Sequence, residues 1–299
     1  MKPFHSLRSL MAVACVFFLL PACRKVAEVL RKDPHAVGQF CRIDTFYFGT
    51  PVQPYQQTIV KYNSAGDPEA ILPLFSVLGE EFDEIYFRYD RFDRLRDVIF
   101  VFPGGTNTAA IDLWHRFAYP RPGIVIDSSL NYDGPGVALG PSFVLPPNPP
   151  PFITAVVSGY EQDRQGRTVR TWTEFPSLSG PPQPLDTTTI SYDRRGNQIR
   201  PGVTYDDKFN IYRTNRVWQL LFQDYSANNP VIFSTEFHIS DINSYNRWGL
   251  PKLYEDQEGD SGQGIFFYLL TLLPDIQVAY SCDGHSDWES DSSSKSGGE

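Results

Sequence analysis

A short phrase recurs through this sequence: a tyrosine, a few polar or turn-forming residues, and then glycine or a substitute for it. Its copies are YNSAG from Tyr62, YDRFD from Tyr89, YPRPG from Tyr119, YDRRG from Tyr192, YDDKF from Tyr205 and YNRWG from Tyr245, with a longer version, YEQDRQG, from Tyr160. In a hairpin, Asp or Asn bonds its own backbone to begin the turn, and glycine takes the positive φ that closes it. Each copy therefore predicts a reversal between two antiparallel strands.

The residues that flank the phrases favour strands. Segments 83–102 and 187–199 are rich in β-branched and aromatic residues that partly alternate with polar ones. We expect each tyrosine ring to pack over its turn while the hydroxyl stays in water. Arg216 to Phe222 is the best short helix, since Val217, Leu220 and Leu221 share a face. The predicted fold is mainly β: a long twisted antiparallel meander sheet with irregular insertions and at most one or two short helices.

These phrases resemble the YD repeats of RHS-type proteins, and more closely those of uncharacterised YD-repeat-like lipoproteins of the Gram-negative cell envelope. As in those lipoproteins, one late unit is interrupted by a longer aromatic segment, here residues 210–233. The resemblance spans residues 40–282 and implies a YD-repeat-like β domain over that range. The seven tyrosines are 27, 30, 41, 32, 13 and 40 positions apart. RHS shells are more regular, so the resemblance implies a long twisted sheet with insertions.

The first 22 residues are typical of an export signal. Lys2 and Arg8 give a positive start, and Leu10 to Leu20 is an apolar run too short for a membrane-spanning helix, which needs roughly 20 residues. Leu20 to Cys23, LPAC, resembles the lipobox of bacterial lipoproteins. That resemblance implies cleavage before Cys23, acylation of Cys23 and a lipid bilayer as partner. The alternative is ordinary secretion, with cleavage nearby and Cys23 free or paired.

Arg24 follows the cysteine where an aspartate would signal retention in the inner membrane, so we expect an outer-membrane lipid anchor, on either its periplasmic or its surface face. Residues 23–39 are charged and predict a lipidated N-terminus and spacer. Residues 283–299 are acidic and rich in serine, which predicts a disordered tail. The apolar run 265–273 is short, and we expect a buried element there rather than an anchor.

Charge excludes one class of partner. Of the 26 Lys and Arg residues, Lys2 and Arg8 leave with the signal, so 24 basic side chains remain against 35 acidic ones, a net charge near −11. Such a chain does not attract phosphate backbones, and we expect no nucleic-acid binding.

Two cysteines are left for the folded part once Cys15 leaves with the signal and Cys23 takes the lipid. Cys41 and Cys282 can pair in an oxidising envelope. Their bridge would close so long a loop that the chain-entropy estimate approaches about 5 kcal/mol. The alternative is that both stay reduced and buried as small hydrophobes.

A proline-rich run, residues 140–152, interrupts the strand pattern. Proline removes hydrogen-bond donors from a sheet and favours an extended conformation. The run is either a boundary between two subdomains or a surface loop or sheet edge. Because strands of one type flank it on both sides, we expect one continuous sheet.

Motifs for catalysis and metal binding are missing from the sequence. It has no nucleophile elbow, phosphate-binding loop or dinucleotide fingerprint, and its histidines lack metal-ligand spacing. We therefore predict no catalytic residue, no metal site, including at 282–287, and no cofactor. His115 and His238 are expected to be structural histidines. The carboxylates Glu80, Glu81, Asp83 and Glu84 are either a solvated face or an acid/base pair of a glycosidase.

Aromatic residues make up 14% of the chain, enough to line a surface that stacks sugars or holds a peptide. The candidate binding residues are Trp218, Tyr225, Asn228, Asn229, Tyr245 and Trp248. The alternative is that the aromatic residues fill the core and the corners. The sequence thus predicts a non-enzymatic scaffold or binding lipoprotein whose partner is a glycan, a peptide or another envelope protein. The competing hypothesis is a surface-exposed glycan-acting hydrolase that uses Asp or Glu.

Overall fold

The computed structural model describes residues 41–50, 53–76, 83–102, 109–132, 137–139, 144–151, 154–174, 184–232, 241–255, 275–282 and 285–286. The first strands are β1 (Cys41–Thr50), β2 (Gln53–Tyr62), β3 (Pro68–Ser76), β4 (Glu84–Tyr89), β5 (Leu95–Phe102), β6 (Ala110–Arg121), β7 (Ile124–Asn131), β8 (Val137–Ala138) and β9 (Thr154–Gln162). The later strands are β10 (Thr168–Glu174), β11 (Pro184–Thr189), β12 (Val203–Phe209), β13 (Asn228–Ile232), β14 (Asp241–Tyr245), β15 (Pro251–Glu255), β16 (Asp275–Cys282) and β17 (His285–Ser286). A 3₁₀ turn (Ile211–Thr214) and the helix α1 (Arg216–Phe222) lie between β12 and β13.

Fifteen strands form one antiparallel sheet in the order β11-β10-β9-β7-β6-β5-β4-β3-β2-β1-β16-β15-β14, with β8 beside β6 and β17 beside β16. From β1 to β7 each strand pairs with the next one along the chain. The last strands instead add to the free side of β1, so that the first strand lies inside the sheet. β12 and β13 form a separate two-stranded sheet. The predicted mainly β, antiparallel meander is confirmed, and α1 has the predicted bounds.

Five phrases form the same tight turn. In each, the side-chain oxygen of the Asp or Asn accepts hydrogen bonds from the backbone N–H groups two and four residues later; these residues are Asn63, Asp90, Asp163, Asp193 and Asn246. The fourth residue of each turn has a positive φ: 85° at Gly66, 56° at Asp93, 78° at Gly166, 89° at Gly196 and 79° at Gly249. This is a type I turn closed by a left-handed residue, so the prediction of reversals is confirmed at these phrases.

The phrase from Tyr119 also reverses the chain, through Pro122 and Gly123, whose φ is 75°. The phrase from Tyr205 does not, and the prediction is wrong there: Tyr205 lies inside β12. Phe209 stands where the other turns have their residue of positive φ, and a bulky apolar residue disfavours that conformation. The ladder between β12 and β13 shifts register between Tyr205 and Phe209 instead.

All six reversals lie at the same end of the strands, which we call the turn edge. Tyrosine hydroxyls join neighbouring hairpins there by hydrogen bonds. Each hydroxyl donates to a backbone carbonyl near the start of the neighbouring strand: Tyr62 to Ile43 (2.7 Å), Tyr89 to Pro68 (2.6 Å), Tyr119 to Leu95 (2.8 Å), Tyr192 to Thr168 (2.8 Å) and Tyr280 to Pro251 (2.5 Å). The expectation of hydroxyls in water is therefore wrong. Carbonyls between neighbouring hairpins need a donor, and the tyrosines supply it.

The inner face of the sheet packs around α1. Its core residues come from strands β16 through β7: Ile43, Val60, Ile71, Ile85, Phe87, Val98, Phe117, Val125 and Val278. They enclose Val217, Trp218 and Leu221 of the helix, whereas Leu220 is only partly buried. Asn215 caps the helix by accepting from the N–H of Val217. No helix in the described part of the chain is long and apolar enough to cross a bilayer.

The proline-rich run covers the outer face. Its described part, 144–151, lies over a second core cluster centred on Trp114. The guanidinium of Arg88 donates to the carbonyls of Leu145 (3.0 Å) and Pro146 (2.6 Å), and Tyr132 donates to the Pro150 carbonyl (3.2 Å). Strands β7 and β9 pair directly, so the large sheet continues across the proline-rich run, as expected.

The segment between β11 and β14 connects the two ends of the sheet. The N–H of Ala227 donates to the carbonyl of Gly196, in the turn that follows β11. At the other side, the N–H of Phe209 donates to the carbonyl of Gly249, in the turn between β14 and β15. The β12–β13 sheet thus bridges the first and last hairpins in the sheet order, and the curled sheet closes into a ring at the turn edge.

Cys41 and Cys282 form a disulfide with a sulfur–sulfur distance of 2.14 Å. The predictions for residues 1–22, 23–39, His238 and 265–273 lie outside the described residues. So does most of the tail 283–299, although His285–Ser286 pairs with the end of β16.

Candidate functional site

Three of the six candidate binding residues are core residues. The exposed fractions are 1% for Trp218, 2% for Tyr225 and 1% for Asn229. Trp218 lies edge-on to Phe87, with ring centroids 5.7 Å apart. Burial raises the pKa of Tyr225 to about 12, and its oxygen accepts a hydrogen bond from Gln162 (3.4 Å). The hypothesis of a surface patch is therefore corrected for these residues, because α1 and the chain after it fill the interior.

Asp206, which was not predicted as a binding residue, links two of the candidates, Asn229 and Tyr245. Its carboxylate accepts from the Tyr245 hydroxyl (2.6 Å), from the Asn229 side chain (3.1 Å) and from the Asn229 backbone N–H (3.0 Å). Burial and then the Asp206 carboxylate raise the pKa of Tyr245. Asn228 accepts from Arg195 (3.1 Å) and donates to the carbonyl of Lys208 (2.8 Å). The network joins β12–β13 to the hairpin β14–β15.

The candidates that reach solvent are Asn228, Tyr245 and Trp248. Together with the exposed Arg195 and Arg247 beside them, they form what we call the Trp248 surface. Trp248 is half-buried, and the guanidinium carbon of Arg247 lies 3.8 Å from the centre of its ring. Arg195 donates to the backbone carbonyl of Asp206 (2.5 Å), the residue whose carboxylate accepts from Tyr245. An aromatic ring beside amide, phenol and guanidinium groups can stack against a polar ligand and supply it with both hydrogen-bond donors and acceptors.

His115 and Asp127 form a buried pair on the inner face. The imidazole Nδ1 lies 3.1 and 3.0 Å from the two carboxylate oxygens, and the rings of Phe100 and Phe117 lie 6.2 and 6.5 Å from the imidazole. Nε2 has no hydrogen-bond partner among the described residues. A general base needs such a carboxylate-oriented imidazole, but it also needs a reacting group within reach of Nε2. The arrangement fits the expected structural histidine, which ties β6 to β7.

The pKa of the Asp83 carboxyl is affected by a neighbouring carboxylate, that of the exposed Asp112 on β6. Burial, and then the Asp112 charge, raise the pKa of the Asp83 carboxyl to about 6. The Tyr86 hydroxyl donates to Glu84 next to it. A carboxyl that keeps its proton close to neutral pH beside an ionised one is the pairing that glycoside hydrolysis uses. Glu80 and Glu81 lie outside the described residues.

Metal ligands do not cluster in the ranges that the structure covers: no group of three or more His, Cys, Asp or Glu is found there. At 282–287, where a metal was considered in the sequence, Cys282 is bound in the disulfide, so its sulfur is not a free thiolate.

Comparison with known proteins adds no family. No family model matches the chain, and no curated protein matches it either. The resemblance to YD-repeat-like lipoproteins therefore stays a prediction.

Proposed function

We propose that this protein is a lipid-anchored component of the Gram-negative envelope, and that its β domain is a non-enzymatic binding scaffold. The observation that carries the proposal is the disulfide between Cys41 and Cys282. Such bonds persist in oxidising compartments and are rare in the cytosol. With both of these cysteines used, Cys23 is the one cysteine of the mature chain left for acylation.

A ring of strands suits a scaffold because its parts are locked to one another. Tyrosine hydroxyls join neighbouring hairpins, the disulfide joins β1 to β16, and the β12–β13 sheet joins the two ends. A binding surface on such a frame is pre-organised, which reduces the entropy that is lost when a ligand binds.

Metabolic labelling with palmitate tests the anchor. The full chain should incorporate label and fractionate with the outer membrane, and Cys23→Ser should abolish both. Cys41→Ser should keep the label, because its sulfur belongs to the disulfide. Labelling that survives Cys23→Ser, or wild-type protein without label, would overturn the anchor.

The Trp248 surface is the proposed binding site, and its ligand class is a glycan or a peptide. A glycan array and a peptide library probed with the mature protein should give a ligand that is lost with Trp248→Ala. Trp172→Ala is the matched control, since Trp172 is also half-buried but lies in β10, over Gly159. Equal loss in both variants would contradict this placement.

One observation favours the second candidate, a glycan-acting hydrolase: the raised pKa of Asp83 beside Asp112. A panel of glycosidase substrates separates the two. Turnover abolished by Asp83→Asn and kept in Asp93→Asn, an exposed aspartate on the turn edge, would replace the scaffold by the enzyme.

A further inference from the structure

Positive charge is concentrated on the turn edge. Its connections, 63–67, 90–94, 122–123, 163–167, 190–202 and 246–250, contain Arg91, Arg94, Arg164, Arg167, Arg194, Arg195, Arg200 and Arg247, against Asp67, Asp90, Asp93, Asp163 and Asp193. Leaving aside 210–227 between β12 and β13, the connections at the opposite ends of the sheet strands are 51–52, 77–83, 103–109, 132–153, 175–183, 233–240 and 256–274. They contain no Lys or Arg and eight acidic residues. An acidic protein thus carries a basic edge.

The arginines at the tips of the turns point to solvent. Those at positions 91, 121, 164, 194 and 247 are exposed and make no ion pair among the described residues. The acidic residues of the same turns are partly neutralised: Asp90 bonds Arg94 (2.6 Å), Asp163 bonds Arg167 (2.8 Å) and Asp67 bonds Arg216 (3.1 Å). The charge that remains available on these turns is therefore mainly positive, while the acidic residues 283–299 follow Cys282 at the same edge.

The chain reaches the turn edge from the anchor. β1 begins there, at Cys41, 18 positions after Cys23. The segment between them holds Arg24, Lys25, Arg31 and Lys32 against Glu28 and Asp33, so it too is basic. Even fully extended, 18 residues span at most about 60 Å. An acylated Cys23 would hold the turn edge within about 60 Å of the bilayer, and the arginines of that edge would have to supply the rest of the orientation.

We propose that the turn edge docks on the membrane, with Arg91, Arg164 and Arg194 bound to the phosphate groups of anionic lipids in the leaflet that holds the anchor. Arg195 and Arg247 of this edge belong to the Trp248 surface. The proposal rests on the proposed function in one respect: the acylated Cys23 brings this edge to the bilayer. Guanidinium groups bind phosphate through paired hydrogen bonds. Each basic side chain near an anionic surface strengthens partitioning roughly fivefold. The connections that lack Lys and Arg offer no competing basic surface.

Vesicle flotation of the mature chain carrying Cys23→Ser tests the proposal without the acyl chains. The vesicles are phosphatidylethanolamine with about 30 per cent phosphatidylglycerol, or phosphatidylcholine alone, at low salt. We expect flotation with the anionic vesicles only. Replacing Arg91, Arg164 and Arg194 by Gln should weaken it by at least roughly tenfold, since three basic groups are lost. Replacing the same three by Lys should preserve it, because the charge is kept.

A matched control changes the net charge equally but elsewhere. Leu74→Glu, Phe102→Glu and Val144→Glu add three negative charges at exposed positions away from the turn edge. Binding retained in this control and lost in the Gln variant supports the proposal. Equal loss in both, no loss in the Gln variant, or equal flotation with neutral vesicles would overturn it. Palmitate labelling of Cys23 is read separately, so failure of the anchor is distinguishable from failure of the docking edge.

Discussion

Cys282 lies directly opposite Cys41 in the ladder between β16 and β1, on the edge where other neighbours are joined by turns. The disulfide takes the place of a turn: it joins the ends of β1 and β16 covalently, as the backbone joins other neighbouring strands at this edge. Next to it, Tyr280 donates to the first residue of the preceding strand, as Tyr89 does. The sheet is therefore continuous between β1 and β16, although Cys41 and Cys282 are 241 residues apart in the sequence.

Removing this bond should weaken the whole ring. In the double variant Cys41→Ala/Cys282→Ala, we expect the free energy of unfolding to fall by about 3–5 kcal/mol, because the unfolded chain regains the freedom of a very long loop. Denaturant titration with and without reductant measures it. Reductant should shift the wild type and leave the variant unchanged. A wild type insensitive to reductant would contradict the account.

Tyr89→Phe should cost about 1–2 kcal/mol, because the phenylalanine ring keeps the packing while the carbonyl of Pro68 loses its donor. Burial raises the pKa of Tyr89, so its hydroxyl keeps its proton and remains a donor. The control is Tyr86→Phe, whose hydroxyl donates to the side chain of Glu84 rather than to a backbone carbonyl of a neighbouring hairpin. Thermal melting of both variants compares them, and a larger loss in the control would count against the tyrosine ties.

Asp163 distinguishes two contributions to a turn. Asp163→Ala removes the acceptor of two backbone N–H groups and the partner of Arg167, and should cost about 1–2 kcal/mol. Asp163→Asn keeps the acceptor, as Asn63 and Asn246 do in their turns, and should cost less than half as much. Equal losses, measured by denaturant titration, would show that the Arg167 ion pair rather than the turn is what matters.

Gly66 tests the backbone of the turn alone. Its φ is 85°, and a Cβ added there meets nothing within 4 Å. Gly66→Ala should therefore destabilise the protein by about 1 kcal/mol through backbone strain only. Asp93 has the equivalent conformation, so Asp93→Gly should be neutral or stabilising. Melting temperatures that move in the opposite directions would contradict the assigned turn type.

The Asp83 carboxyl gives stability a pH dependence. Its pKa is raised to about 6, above the value near 4 of an unfolded chain. Below about pH 4 both states are protonated and nothing is lost; between about 4 and 6 the unfolded chain ionises more readily, so stability falls as pH rises. Asp83→Asn should therefore raise the melting temperature at pH 8 and hardly change it at pH 4. A gain confined to pH 4 would contradict this sign.

The turn chemistry made most of the fold predictable. A turn such as the one from Asp90 to Asp93 depends only on residues that are neighbours in the sequence, so it can be predicted locally. The helix α1 is likewise predictable from its own apolar face. The order of strands was not predictable, because nothing local places β16 beside β1.

The prediction of the candidate site was wrong in part for the same reason, because it depended on contacts between residues far apart in the sequence. Asn229 and Tyr225 are typical surface residues, but Asn229 is buried against Asp206, 23 positions earlier in the chain, and Tyr225 receives a hydrogen bond from Gln162. Pairings of this kind depend on where the β12–β13 sheet docks. The residues near Asn229 and Tyr225 in the sequence do not indicate where that sheet docks.

The most direct measurement is peptide mapping, without reduction, of the protein purified from the envelope fraction. The account predicts one disulfide-linked peptide pair that contains Cys41 and Cys282, together with an N-terminal peptide that begins at an acylated Cys23. Free thiols at Cys41 and Cys282, or a bridge from Cys23 to either of them, would contradict a lipid-anchored sheet that is closed by sulfur.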